Sequence, residues 1–228
     1  MKIIKVGASV TQSNDRDAEL LRQEMKAKGQ LMVNLMSSPG SGKTTLLSRL
    51  IRDMADEKIA VMEADIESAV DAERIEALGA QAIQVHTDGM CHMDAGMTRQ
   101  AVEALEDDGA RLIFLENVGN LICPAEYDTG AGLNMMILSV PEGDDKPLKY
   151  PLMFEKSDAL VITKTDALPY FRFDTALCTE RAKKLNPEIR VFPVSAKTGE
   201  GMEALESWLR SRRESRQAGP SGKEIDHA

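Results

Sequence analysis

No apolar run in this sequence approaches the roughly 20 residues that a membrane-spanning helix requires. The opening MKIIKVGASVTQSNDRDAELL turns polar after a brief apolar run, too short for a secretory leader. Basic residues are in deficit, with 28 Lys and Arg against 37 Asp and Glu, for a formal net charge of −9. Nucleic-acid binders ordinarily carry a basic surplus or stripe, so nucleic acid is not expected as the main partner. Cysteine is scarce as well. Cys91, Cys123 and Cys178 form no secreted disulfide framework, and in a reducing compartment they read as thiols or metal ligands. No internal repeat is visible. These absences point to a cytoplasmic globular protein with no membrane partner. The 228 residues suit one α/β domain that needs no disulfide or metal staple.

What is present is an alternation of short apolar runs with amphipathic stretches. The runs at 31–36, 59–64, 82–86, 111–116, 134–140, 159–163 and 190–194 read as strands, several apolar on successive residues as in parallel strands covered on both faces. Helical patterns at 15–28, 43–55, 71–78, 94–107, 174–185 and 202–213 fall between or around them. Such alternation predicts a doubly wound, mostly parallel sheet with helices on both faces and ligands at the carboxyl ends of its strands. The expected organisation is a single domain over 1–213, with 15–28 an added helix packed on it. Residues 214–228, rich in Gly, Pro, Ser and charge, read as a flexible tail. His86, at the end of an apolar strand, reads as a core histidine, and His227 as part of the tail.

One segment carries most of the chemistry. Ser37-Ser38-Pro39-Gly40-Ser41-Gly42-Lys43-Thr44-Thr45 follows an apolar run and opens an amphipathic helix, the context of a phosphate-binding P-loop. Glycines let successive backbone N–H groups turn inward, and the helix N-terminus adds free donors and the positive end of its dipole. Lys43 supplies a charge for the β- and γ-phosphates, and the Thr44 hydroxyl is a ligand for Mg²⁺. Ser37 stands where the general pattern has Gly. Asp65 and Glu116 follow or end strands that such a sheet aims at the phosphates. One would hold Mg²⁺ and the other orient the attacking water, with the division open. Glu116-x-x-Gly119 is similar to the Asp-x-x-Gly element of GTPases.

Two later segments suit a guanine base. Thr163-Lys164-Thr165-Asp166 is similar to Asn-Lys-x-Asp, in which the carboxylate accepts from two donors of guanine that adenine lacks; a carboxylate left unpaired then penalises the wrong base. Thr163 in place of Asn removes an amide partner. Ser195-Ala196-Lys197 is similar to the Ser-Ala-Lys element, which meets the guanine carbonyl. The order P-loop, then Asp166, then Ser195–Lys197 favours GTP over the ATP of a small-metabolite kinase.

The remaining soft donors are Cys91-His92 and Cys123, in loops that leave strand ends on the nucleotide side. Thiolate and imidazole suit Ni²⁺ or Zn²⁺, and a symmetric dimer would double three ligands into a fuller site. Free cysteines are equally common as small buried hydrophobes, and the residues alone leave both readings open. Cys178 reads as structural, and Met32, Met36, Met135 and Met136 as core.

Taken together, SSPGSGKTTLL (37–47), DAERI (71–75), CHMDA (91–95), ENVGNLICP (116–124) and VPEGDDKPLKYPLMF (140–154) resemble the hydrogenase nickel-insertion GTPases, the HypB family. Residues 163–173 and 195–201 match as well. Ser37 looks like that family's own form of the loop. The resemblance, which spans about 15–209, implies a SIMIBI-like P-loop NTPase that hydrolyses GTP with Mg²⁺ and forms a GTP-dependent homodimer with nucleotide near the interface. It also implies a HypA-like nickel accessory protein and the precursor of the hydrogenase large subunit as partners, with Cys91, His92 and Cys123 as the Ni²⁺ or Zn²⁺ site. Some members carry an N-terminal cysteine motif or a histidine-rich stretch; neither occurs here, so nickel storage is not expected. Cys123-Pro124-Ala125 differs from the Cys-Pro-His of the related urease GTPases and favours the hydrogenase branch. Two alternatives remain: a dimeric metal chaperone in which nucleotide is structural, and a urease-type nickel GTPase.

Overall fold

The computed structural model describes residues 7–64, 69–105 and 109–217. Its strands are β1 Leu31–Ser37, β2 Ile59–Glu63, β3 Gln81–Gln84, β4 Leu112–Glu116, β5 Leu133–Ser139, β6 Ala159–Thr163 and β7 Arg190–Pro193. The helices are α1 Gly7–Ala27, α2 Lys43–Asp53, α3 Ala69–Glu76, α4 Ala95–Ala104, α5 Cys123–Glu126, α6 Lys146–Lys149, α7 Pro151–Glu155, α8 Thr175–Leu185 and α9 Met202–Gln217. The strands join in one sheet of order β3-β2-β4-β1-β5-β6-β7, and every pairing is parallel. A sheet expected to be mostly parallel is therefore wholly parallel among the described residues. Among these residues no helix is long and apolar enough to cross a membrane.

Strand side chains alternate between two layers. On β1, Leu31, Val33 and Leu35 join Leu46, Leu47 and Leu50 of α2 and Leu205 and Leu209 of α9. On the other face, Met32 packs with Leu21 and Met25 of α1, while Met36 meets Met153 and Phe154 of α7 and Cys178 of α8. Each of these fully buried side chains contributes roughly 1.5–3 kcal/mol, so α2 is held against the sheet by its inward leucine stripe. That fixes the P-loop at the carboxyl end of β1. Because β1 lies between β4 and β5, this end is also where the strand order reverses, the ligand crevice of such sheets.

Several boundaries differ from expectation. α1 begins at Gly7 and packs against α4 and β1. The first residues of the expected tail, 214–217, are the last of α9; ion pairs from Arg210 to Asp56 (2.6 Å) and from Arg213 to Glu57 (2.9 Å) tie that turn to the loop after α2. Residues 218–228, including His227, lie outside the described residues. His86 is exposed rather than in the core, because edge strand β3 stops at Gln84 and is only half-buried along its length.

Candidate functional site

The P-loop leaves β1 through Ser37 and Ser38 and turns on Gly40 (φ 73°) and Gly42 (φ 95°), left-handed conformations that glycine adopts without strain. Gly42 is the N-cap of α2 and gives no side-chain bond, so the first N–H groups of the helix face a cleft of about 530 Å³. Gly40, Gly42, Lys43, Thr44, Thr45 and Glu116 line that cleft, with Arg74, Asn117, Gly119 and Lys164. Ser37 has a specific task. Its hydroxyl accepts from Lys43 Nζ at 2.9 Å and from the buried Ser41 Oγ at 2.7 Å, and donates to Ser38 O at 2.9 Å. Ser38 donates to Glu142, whose carboxylate also accepts from Ser139 N (2.8 Å) and Ser139 Oγ (2.7 Å). The loop is thereby fastened to the end of β5.

Glu116 lies in the same wall, 6% exposed, with an oxygen 3.9 Å from Lys43 Nζ. The register sets Glu63, a buried carboxylate passed over in the sequence, directly opposite it on β2. Asp65 lies outside the described residues. Gly119 approaches the P-loop so closely that a Cβ there would sit 3.0 Å from Pro39 Cγ, a physical reason for Gly in Glu116-x-x-Gly119. Arg74 of α3, within the DAERI block, was not singled out from sequence although it borders the cleft beside Thr44 and Thr45.

The two segments expected to face a base meet each other and the P-loop. Thr163 Oγ1 donates to Ser41 O at 2.7 Å, so the hydroxyl anchors this strand end to the P-loop without an amide. Lys164, itself left-handed (φ 60°), donates from Nζ to Gly40 O at 2.7 Å. Asp166 Oδ1 accepts from the buried Ser195 Oγ at 2.8 Å, and that hydroxyl accepts from Thr198 N at 3.2 Å. Ala196 is half-buried with its carbonyl 3.5 Å from Arg49 Nη1, and Lys197 is exposed.

A second cluster lies beyond the ends of β3 and β4. The donor atoms of Cys91, His92 and Cys123 all fall within 4.8 Å of one another. The Cys91 thiol donates to Cys123 Sγ at 2.8 Å, and Cys91 Sγ is 3.7 Å from His92 Nδ1. Cys123 opens α5, whose second residue is Pro124, and its N–H donates to Asn120 Oδ1 at 3.4 Å. The His92 ring stacks on Tyr127, centroids 3.8 Å apart, which fixes the ring plane. Burial holds the imidazole below its ordinary range against the pull of Asp94 and Glu126, favouring the neutral form a metal needs. Bonding to Cys91, with burial and charge adding to it, raises the Cys123 thiol. Cys178 lies elsewhere, fully buried, its thiol pushed up to about 12 by burial.

A family model described as the CobW/HypB/UreG nucleotide-binding domain matches residues 31–193. The hydrogenase maturation factor HypB of Rhizobium leguminosarum bv. viciae is 46% identical over 209 residues, covering 91% of this chain and 70% of that protein. The chain belongs to the HypB family. The factor of the same name from Escherichia coli strain K12 is 45% identical over 213 residues, 93% of this chain and 73% of that one. In three dimensions, the crystal structure of HypB from Helicobacter pylori in complex with nickel superposes with a TM-score of 0.85 at 38% identity, covering 92% of this chain and 99% of that one. The P-loop NTPase architecture is thus shared with a HypB relative that was crystallised with nickel.

Proposed function

We propose that this protein hydrolyses GTP and uses the nucleotide state to hold and release Ni²⁺ during maturation of nickel–iron hydrogenase, in the cytoplasm. The observation that carries the reading is the placement of two chemistries on one segment. Glu116 ends β4 inside the phosphate cleft, and Cys123 follows only seven residues later in the soft-donor cluster. A loop that answers to the γ-phosphate therefore carries a metal ligand. The names of the relatives and the nickel-bound neighbour support hydrogenase maturation and nickel as the cargo.

In this reading Lys43 and the α2 N-terminus neutralise the β- and γ-phosphates, and Asp166, aimed by Ser195, accepts from guanine. The residues suit Mg²⁺: the Thr44 hydroxyl and the Glu116 carboxylate border one cleft, and Asp65 follows the neighbouring strand. The ion would neutralise charge on the phosphate oxygens. Whether Glu116 or Asp65 meets it, and which of them orients water, stays open. Three soft ligands from one chain are few for a closed site, so a homodimer that joins two copies of Cys91, His92 and Cys123 is proposed. A HypA-like accessory protein and the hydrogenase large-subunit precursor are its proposed donor and acceptor.

Calorimetry with Ni²⁺ and Zn²⁺, in the presence of GDP and then of a non-hydrolysable GTP analogue, tests the switch. Different nickel affinities in the two states are expected. Equal affinities would leave nucleotide and metal as independent features, with nucleotide structural. Base choice has its own test. Asp166→Asn swaps an acceptor for an amide that clashes with the guanine donors, and is expected to weaken GTP about a hundredfold or more while improving binding of xanthosine triphosphate. An Asn variant that keeps its preference for GTP over the xanthine nucleotide would remove Asp166 from base recognition.

A further inference from the structure

Asn117 stands immediately after Glu116 and is 1% exposed. Its backbone N–H donates to Leu35 O at 3.1 Å, which pins it at the end of β1. Its side-chain Nδ2 donates to Asn34 Oδ1 at 3.0 Å; Asn34 Nδ2 donates to Asn134 Oδ1 at 3.0 Å, and Asn134 Nδ2 to Lys156 O at 3.2 Å. A row of amides thus crosses β4, β1 and β5 within a layer otherwise filled by Met32, Met36, Leu115 and Met136. Burying the amides of Asn34 and Asn117 in such surroundings is costly unless each is bonded, and both are, with half-buried Asn134 continuing the row toward solvent.

The row ends at the metal loop. Asn117 Oδ1 accepts from Val118 N at 2.9 Å and from Met93 N at 3.1 Å. Two backbone donors on one side fix the oxygen toward Met93 and leave the nitrogen for Asn34. Met93 adjoins His92, and its side chain is fully buried, so its backbone position sets where Cys91 and His92 stand. Cys123 lies on the other arm, opening α5 at the end of the loop that Asn117 itself begins. Asn117 is covalently next to Glu116 and is also hydrogen-bonded to the segment carrying the other two soft donors. Hydrophobic packing of that layer calls for an apolar residue here, whereas only a side chain with both an acceptor and a donor spans Met93 and Asn34.

We propose that Asn117 is the positioning residue through which the phosphate cleft sets the geometry of the Cys91–His92 loop against Cys123. The inference rests on the nucleotide-coupled nickel switch proposed above. A displacement of the Glu116–Asn117 backbone moves the acceptor of Met93 N, and the His92 end of the cluster follows.

The test is the ratio of nickel dissociation constants measured by calorimetry on the full chain with GDP and with a non-hydrolysable GTP analogue, for wild type, Asn117→Ala and Asn34→Val. The wild-type ratio is expected to differ from one, and Asn117→Ala to bring it within about twofold of one. Asn34→Val leaves the Met93 bond in place and frees the amide at its other end, so an intermediate ratio is expected. A purely structural asparagine would instead weaken nickel alike in both states and lower the melting temperature, leaving the ratio as in wild type; that outcome overturns the proposal and leaves the switch standing. A wild-type ratio of one overturns both. Should Asn117→Ala fail to fold, Asn34→Val decides alone, and a wild-type ratio in it overturns the proposal.

Discussion

Lys43→Ala is expected to lower GTP hydrolysis about a thousandfold, the scale seen when a preorganised donor at developing charge is removed. The side chain is 11% exposed and held from two sides, by Ser37 Oγ at 2.9 Å and by the Glu116 carboxylate at 3.9 Å. A cation aimed in this way has no reorganisation left to undergo when charge develops on the phosphates, and in a poorly hydrated wall it acts more strongly than in water. The neighbouring lysine is no substitute, since Lys164 Nζ is engaged with Gly40 O at 2.7 Å. The substitution falls in the first turn of α2, where alanine is a good helix former, and the Leu46, Leu47 and Leu50 stripe is untouched. A steady-state phosphate-release assay beside a thermal melt separates the two effects. A folded variant that hydrolyses GTP within tenfold of wild type would sink the assignment of Lys43.

The sheet was legible in the sequence because a wholly parallel sheet demands strands buried on both faces. Leu31–Ser37 shows that pattern directly, buried at every position. The P-loop helix was legible for the opposite reason, a single inward stripe of Leu46, Leu47 and Leu50 with Arg52 exposed on the far side. The four- and five-residue helices α5, α6 and α7 were not. A single turn shows no periodicity, and Pro124, Pro147 and Pro151, a residue type that commonly ends helices, each occupy a first or second helical position, where a missing N–H costs nothing. Other features depend on register, which no local pattern encodes. Glu63 faces Glu116 only because β2 pairs with β4 in one particular alignment, and Thr163 reaches Ser41 O because β6 ends level with the P-loop. Arg74 was present in a block that looked distinctive, but nothing in DAERI says that α3 lies over the cleft. The asparagine row was the least visible of all. Asn34, Asn117 and Asn134 are far apart in sequence, and each alone reads as a polar residue interrupting a strand or following one.

The cluster of Cys91, His92 and Cys123, proposed above as the nickel site, carries the second large effect. Cys123→Ala is expected to weaken Ni²⁺ binding by at least about a hundredfold, beyond what the loss of an outer hydrogen bond to a ligand costs. The expectation follows from how little the site has to spare. Each chain offers one imidazole and two sulfurs within 4.8 Å, and the Cys91 thiol donates a hydrogen bond to Cys123 Sγ at 2.8 Å, so removing Cys123 takes away one donor and the partner of another. If two chains share the ion, both lose the donor at once. The variant should still fold, because Cys123 is only partly buried and alanine suits the first position of α5. Cys178→Ala is the matching control. Its sulfur is fully buried and its thiol is pushed up to about 12, so the replacement should cost packing and melting temperature while nickel affinity stays at the wild-type value. Isothermal titration of all three proteins, each with its thermal melt, reads the outcome. Nickel affinity within threefold of wild type in Cys123→Ala would move the metal away from this cluster. A folded Cys178→Ala that lost nickel would do the same, by showing that the metal depends on sulfur in the α8 layer.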